Sequence, residues 1–123
     1  MSEVYCLYST EDGNPRYVGR TEDGTMKRLK QHRTYALEMA EGAVYDWIRG
    51  VYRKGFEVEA HVLQMNIIPA EFEFYERYWI AQFSDLLNVH DVVAPTPEST
   101  EIGRKITVSI KARLAAEGGH AAG

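Results

Sequence analysis

Val4-Tyr5-Cys6-Leu7-Tyr8, then Ser9-Thr10-Glu11-Asp12-Gly13-Asn14-Pro15, then Arg16-Tyr17-Val18-Gly19-Arg20 reads as strand, turn and returning strand. The first run is apolar and rich in Tyr, which packs well on a pleated surface. The middle run is turn chemistry: Gly supplies positive φ, and Asn and Pro suit loops. Two short strands around such a loop form a hairpin. Outward from it, Met26, Leu29, Arg33, Ala36, Leu37 and Ala40 recur at helical spacing and predict a helix over 25–40, capped by Asp23 or Thr25 with Gly24 at the turn. Val44, Trp47, Ile48, Val51 and Tyr52 predict a second helix over 43–54, stopped by Gly55.

From Phe56 the pattern changes to strict alternation. Phe56, Val58, Ala60 and Val62 face one way and Glu57, Glu59 and His61 the other, as in a half-buried strand. Ile68-Pro69-Ala70 turns into a third helix over 70–84, with Pro at an allowed first-turn position. Residues 91–100, with Pro95 and Pro97, read as a connector. Ile102, Ile106, Ile110 and Leu114 predict a terminal helix with a basic side over 102–116, and residues 118–123 a frayed tail. The predicted fold is α+β: a small three-stranded, mainly antiparallel sheet flanked by helices in the order ββααβα, with an additional C-terminal helix.

With 123 residues the chain fits one domain, and 45% hydrophobic and 26% charged residues exclude disordered and fibrous classes. Cys6, the single cysteine, excludes an internal disulfide and a cysteine-only zinc site, and reads as a small buried thiol. No apolar run is long enough to span a membrane, and Met1-Ser2-Glu3 does not begin a signal peptide, so the expected location is cytoplasmic. The formal net charge of −4 hides segregation. Residues 16–33 hold six Lys and Arg against two acids, residues 102–123 hold four against one, and residues 57–101 hold nine acids against Arg77.

Several residues fit a plain core poorly. Phe72, Glu76, Trp79, Ile80 and Phe83 share one helix face, and a carboxylate there needs a salt bridge, to Arg77 or another helix, or a metal. Arg28 and His32 lie one turn apart beside Lys27, Lys30 and Arg33, as either a solvated basic face or a phosphate clamp. Tyr5, Tyr8 and Tyr17 are either sheet packing or phenols held against a phosphate. Asn88 suits a cap or a turn.

Taken in order, these positions resemble the GIY-YIG nuclease family. Glu3-Val4-Tyr5 and Tyr17-Val18-Gly19 are similar to its two tripeptides, with eleven residues between Tyr5 and Tyr17. Arg28 and His32 resemble its helix-borne pair. Tyr45-Asp46-Trp47-Ile48-Arg49, Glu76-Arg77-Tyr78-Trp79-Ile80 and Leu86-Leu87-Asn88 resemble its later motifs. Glu3 stands where the family often has Gly, and the stretch from Gly19 to Arg28 is about one residue longer than in many members.

The resemblance covers about residues 3–90. It implies a nuclease domain over 1–90, and 91–123 as connector, basic helix and tail. The implied activity is metal-dependent DNA cleavage of phage or mobile-element type. A repair-type structure-specific nickase and a non-catalytic DNA-binding module are the alternatives. The implied catalytic set is Tyr5, Tyr17, Arg28, His32, Glu76 and Asn88, with Gly19 structural. In it Glu76 holds one Mg²⁺ or Mn²⁺, Arg28 neutralises the phosphate, and Tyr5, helped by His32, takes a proton from water. Tyr17 binds the phosphate or orders the water, and Asn88 orients Glu76 or the hairpin.

DNA is the expected partner, met by Arg16, Arg20, Lys27, Lys30, Arg33, Arg49, Arg104 and Lys105. Residues Pro97 to Ala112 look somewhat like the helical DNA-binding repeats of phage homing endonucleases; a plain amphipathic helix is the other reading. The sequence sets no oligomeric state: one active site cuts one strand, so double-strand cutting takes two subunits or two visits.

Overall fold

The computed structural model describes residues 2–88 and 97–121. The expected connector therefore lies outside the described residues up to residue 96. The hairpin forms as read, with β1 at Ser2–Ser9 and β2 at Pro15–Thr21. Helices α1 (Thr25–Leu37) and α2 (Ala43–Arg53) precede β3 (Val58–Ile67). A short 3₁₀ turn (Pro69–Glu71), α3 (Phe72–Ile80) and α4 (Pro97–Ala121) complete the order.

The sheet is antiparallel with order β2-β1-β3, so the most apolar strand is central. Alternation along β1 splits the core. Val4, Cys6 and Tyr8 join Phe72, Trp79, Ile80, Phe83 and Ile110 on the face covered by α3 and α4. Tyr5 and Leu7 join Leu29, Ala36, Ile48 and Val51 on the face covered by α1 and α2. A strand buried on both sides must be apolar throughout, which is why residues 4–8 do not alternate.

α4 belongs to this core. Ile110 is fully buried, Ile102, Ile106 and Leu114 pack beside it, and the Arg113 guanidinium reaches the Tyr8 hydroxyl. The division at residue 90 is thus not a division of the hydrophobic core. The helix also continues to Ala121, through the expected tail.

Three boundaries differ from expectation for physical reasons. α3 ends at Ile80 rather than 84, because Gln82 and Phe83 donate to Trp79 and Ile80, three residues back, which tightens the last turn before Ser84-Asp85. β3 begins at Val58 because the Phe56 N–H still closes onto the Val51 carbonyl at the end of α2. α1 stops at Leu37 in a Schellman turn: Ala40 N–H donates to Tyr35 O (2.9 Å) and Met39 N–H to Ala36 O (3.2 Å). That turn needs a left-handed residue, normally Gly, and Met39 takes the position with φ 64°. A left-handed conformation costs a residue with a Cβ roughly 1 kcal/mol. Met39 is largely exposed, so its side chain offsets little of this. Met39→Gly is expected to stabilise the fold by about 0.5–1 kcal/mol, measured as a higher urea midpoint; a lower midpoint contradicts the strained turn.

Candidate nucleic-acid cleavage site

The two tripeptides sit side by side because of strand register. Tyr5 pairs with Gly19 and Leu7 with Tyr17, so Tyr5 and Tyr17 project from the same sheet face toward α1. A Cβ at Gly19 would lie 2.5 Å from Tyr5 Oη and 2.8 Å from the Tyr17 ring, so only glycine leaves room for both rings. β2 is an edge strand, and its exposed backbone is covered. Asn88 accepts from Val18 N–H (3.0 Å) and donates to Val18 O (2.7 Å), while Leu87 N–H donates to Arg16 O (2.6 Å). Asn88 thus acts as a one-residue strand that fixes Tyr17 and Gly19. Of its two expected roles, the geometry matches orientation of the hairpin.

α1 brings Arg28 and His32 over these rings. Its N-terminus is Gly24, with no side-chain cap of its own, so neither Asp23 nor Thr25 plays the expected part. The cap comes from β1: Glu3 Oε1 accepts from Thr25 N–H (2.8 Å) and from its hydroxyl (3.0 Å). A carboxylate suits the positive end of a helix. Glu3 therefore ties α1 to the strand that carries Tyr5, a role no local pattern announces because the cap lies 22 residues away in sequence.

Tyr5 and His32 are both buried, and Tyr5 Oη lies 2.8 Å from His32 Nε2. The other nitrogen, Nδ1, is buried with no partner. Burial, reinforced by the Arg28 charge, lowers the His32 pKa to about 4, so the ring is neutral at pH 7. Burial raises the Tyr5 phenol well above its usual value; Tyr17 adds to this and Arg28 opposes it. Tyr17 is only half-buried, and its hydroxyl makes no hydrogen bond among the described residues. Burial raises its pKa too, Arg28 opposes, and the Glu76 carboxylate and Tyr45 add to the rise.

The site has two layers. Tyr5 and His32 lie beneath, and Tyr17, Arg28 and Glu76, each partly exposed, lie toward solvent. Tyr5 is closed off from solvent, whereas the Tyr17 ring is partly open to it. Glu76 is half-exposed rather than sunk in the core face. Arg77 pairs with Glu73 at 3.3 Å, and no ion pair engages Glu76 among the described residues.

The lowered His32 pKa has a consequence for stability. The unfolded chain takes up this proton below about 6.5 and the folded chain only near 4, so stability falls as pH falls through that window. Between pH 7 and 4.5 wild type is expected to lose about 2 kcal/mol more than His32→Gln in urea unfolding. Equal losses contradict a buried neutral imidazole.

The expected basic contacts divide. Lys27 and Lys30 are exposed on α1. Arg33 is engaged with the Val58 carbonyl (2.5 Å) and Glu59 (3.5 Å). Arg49 donates to the Ala36 and Ala40 carbonyls, both at 3.0 Å, where a cation suits the end of α1. Both arginines hold elements together. Arg20 has the parity of Val18, faces the α3 side, away from Tyr5 and Tyr17, and stacks over Phe72 at 4.9 Å, while Arg16, the extra residue where the β1–β2 register shifts, lies beside Ser84, Asp85 and Leu86. Arg104 and Lys105 are exposed on α4, and Lys105 pairs with Glu101 at 3.6 Å.

The structure adds Tyr45, which the second-helix motif contained without a role. Its ring centroid lies 6.0 Å from His32. Among the described residues, no three His, Cys, Asp or Glu side chains converge as a metal cage. No helix among them is long and apolar enough to cross a membrane. Compared with protein-family models, curated proteins and solved structures, the chain has no significant match.

Proposed function

We propose that the protein is a divalent-metal-dependent DNA endonuclease of the GIY-YIG type, acting in the cytoplasm. The observation that carries this reading is the packing of Tyr17 against the buried Tyr5–His32 pair, with Arg28 and Glu76, from two further elements, near enough for their charges to act on the Tyr17 phenol. Phosphodiester hydrolysis needs a proton acceptor for water, a counter-charge for the phosphate and help for the leaving oxygen.

Arg28 supplies the counter-charge, since a guanidinium binds two phosphate oxygens in one plane. Tyr17, the accessible phenol, takes the proton of the attacking water as phenolate. Arg28 beside it favours that ionised form against the effect of burial. Tyr5 and His32 are positioning residues: their hydrogen bond fixes the floor on which Arg28 and Tyr17 rest.

Glu76 suits Mg²⁺ or Mn²⁺. It is a partly exposed carboxylate without an ion pair among the described residues, and Mg²⁺ is commonly held by one or two carboxylates, substrate phosphate and waters. Such an ion, when bound, stabilises the leaving oxygen and adds positive charge beside Tyr17. The reading is tested on supercoiled plasmid with Mg²⁺ or Mn²⁺. Wild type nicks or linearises it, and folded Glu76→Ala loses about 10²-fold or more of that activity. Full cutting by Glu76→Ala contradicts the metal site.

A further inference from the structure

The site does not end at His32. Its ring lies 6.0 Å from Tyr45, and Tyr45 meets Tyr35 edge-on at 6.2 Å. A continuous aromatic row therefore runs from the buried Tyr5 outward to Tyr35, which is 41% exposed. Tyr45 packs against the α1–α2 core, whereas Tyr35 is exposed and meets Tyr45 edge-on. Packing thus accounts for Tyr45 and leaves much of the Tyr35 ring open to solvent.

The backbone beneath the outer end of the row is held by hydrogen bonds. Tyr35 O accepts the Schellman bond from Ala40, and Arg49 of α2 clamps the neighbouring Ala36 and Ala40 carbonyls. On α1, Arg28, Gln31 and Tyr35 follow one another at three- and four-residue steps and share a face. Arg28 donates to Gln31 Oε1 at 3.1 Å. At 1.5 Å per residue, Tyr35 stands about 10 Å along the helix from Arg28, within reach of a nucleotide or two from a phosphate held there.

We propose that Tyr35, backed edge-on by Tyr45, forms a stacking platform for an unpaired nucleobase of the DNA strand whose phosphate is held by Arg28 and Tyr17. The proposal rests on the nuclease reading and narrows its substrate. Base faces inside an intact duplex are covered by their neighbours, and exposing one costs unstacking energy that an already unpaired base does not require. Aromatic stacking is indifferent to base identity. The platform therefore selects DNA with an unpaired nucleotide beside the cut: a bubble, gap or frayed end.

The experiment measures binding with the metal chelated, so that it does not depend on cleavage. The probes are one synthetic DNA sequence as a perfect duplex, as a duplex with a short central bubble, and as that bubble with an abasic sugar. Wild type is expected to prefer the bubble. Tyr35→Ala weakens bubble binding by about 5- to 100-fold and leaves duplex binding unchanged. The abasic bubble binds wild type as weakly as the intact bubble binds Tyr35→Ala, with no further loss when the two changes are combined. 5-Iodouracil in the bubble photocrosslinks to Tyr35 or Tyr45.

Equal bubble binding by wild type and folded Tyr35→Ala, or crosslinks only elsewhere, overturns the platform. Cleavage by wild type without bubble preference sinks the platform alone. Bubble preference that depends on Tyr35 without cleavage in Mg²⁺ or Mn²⁺ sinks the nuclease reading alone.

Discussion

Gly19→Ala is expected to destabilise the fold by roughly 2–3 kcal/mol and to abolish function at the site. The added carbon would lie 2.5 Å from Tyr5 Oη, 2.7 Å from Tyr5 Cζ and 2.8 Å from the Tyr17 ring. Ordinary contact distances are about 3.5 Å or more. None of these atoms is the loose end of a flexible chain, since Tyr5 is buried and its hydroxyl is bonded to His32. Gly19 does not have positive φ, so the effect is one of space and not of backbone strain. Relief requires Tyr5 or Tyr17 to turn, and turning Tyr5 leaves a second buried imidazole nitrogen without a partner. The measurement is urea unfolding with near-ultraviolet circular dichroism of the tyrosines. An unchanged midpoint contradicts the close packing on which the site is built.

Tyr17→Phe and Tyr5→Phe are expected to differ sharply, because they remove hydroxyls from different layers. Tyr17 makes no hydrogen bond among the described residues, so its loss should change stability by less than about 0.5 kcal/mol. If Tyr17 takes the water proton, the same substitution lowers cleavage by about 10²- to 10⁴-fold. Tyr5→Phe strands His32 Nε2 in the interior and costs roughly 1–3 kcal/mol of stability, with a smaller fall in the cleavage rate of the folded fraction. Because burial raises the Tyr17 pKa, the wild-type rate should climb with pH through the neutral range. A rate that is flat or falling there, or Tyr5→Phe as the catalytically dead and stable variant, reverses the two roles.

Much of this was legible in the sequence. The element order and the antiparallel hairpin follow from hydrophobic pattern and turn chemistry, whereas the common face of Tyr5 and Tyr17 needs the strand register. The spacing of Arg28 and His32 places both on one side of α1. What was not legible depended on pairing between distant segments. Glu3 caps a helix from a neighbouring strand, and Met39 occupies a position where a sequence reader looks for glycine. Arg33 and Arg49 look like a basic surface until their carbonyl acceptors on β3 and α1 are known. The different burial of Tyr5 and Tyr17 was not legible either, since local pattern gives the face of a strand but not the depth of each ring beneath a helix.

In the proposed function, Tyr17, Arg28 and Glu76 cut DNA over a buried Tyr5–His32 floor. Its most direct test is single-turnover cleavage of an end-labelled DNA carrying an unpaired nucleotide, with Mg²⁺ present or chelated, by wild type and folded Tyr17→Phe. Mg²⁺-dependent cutting by wild type is expected, rising with pH and falling by at least about 10²-fold in Tyr17→Phe. Absence of cutting by wild type, or equal cutting by Tyr17→Phe, contradicts it.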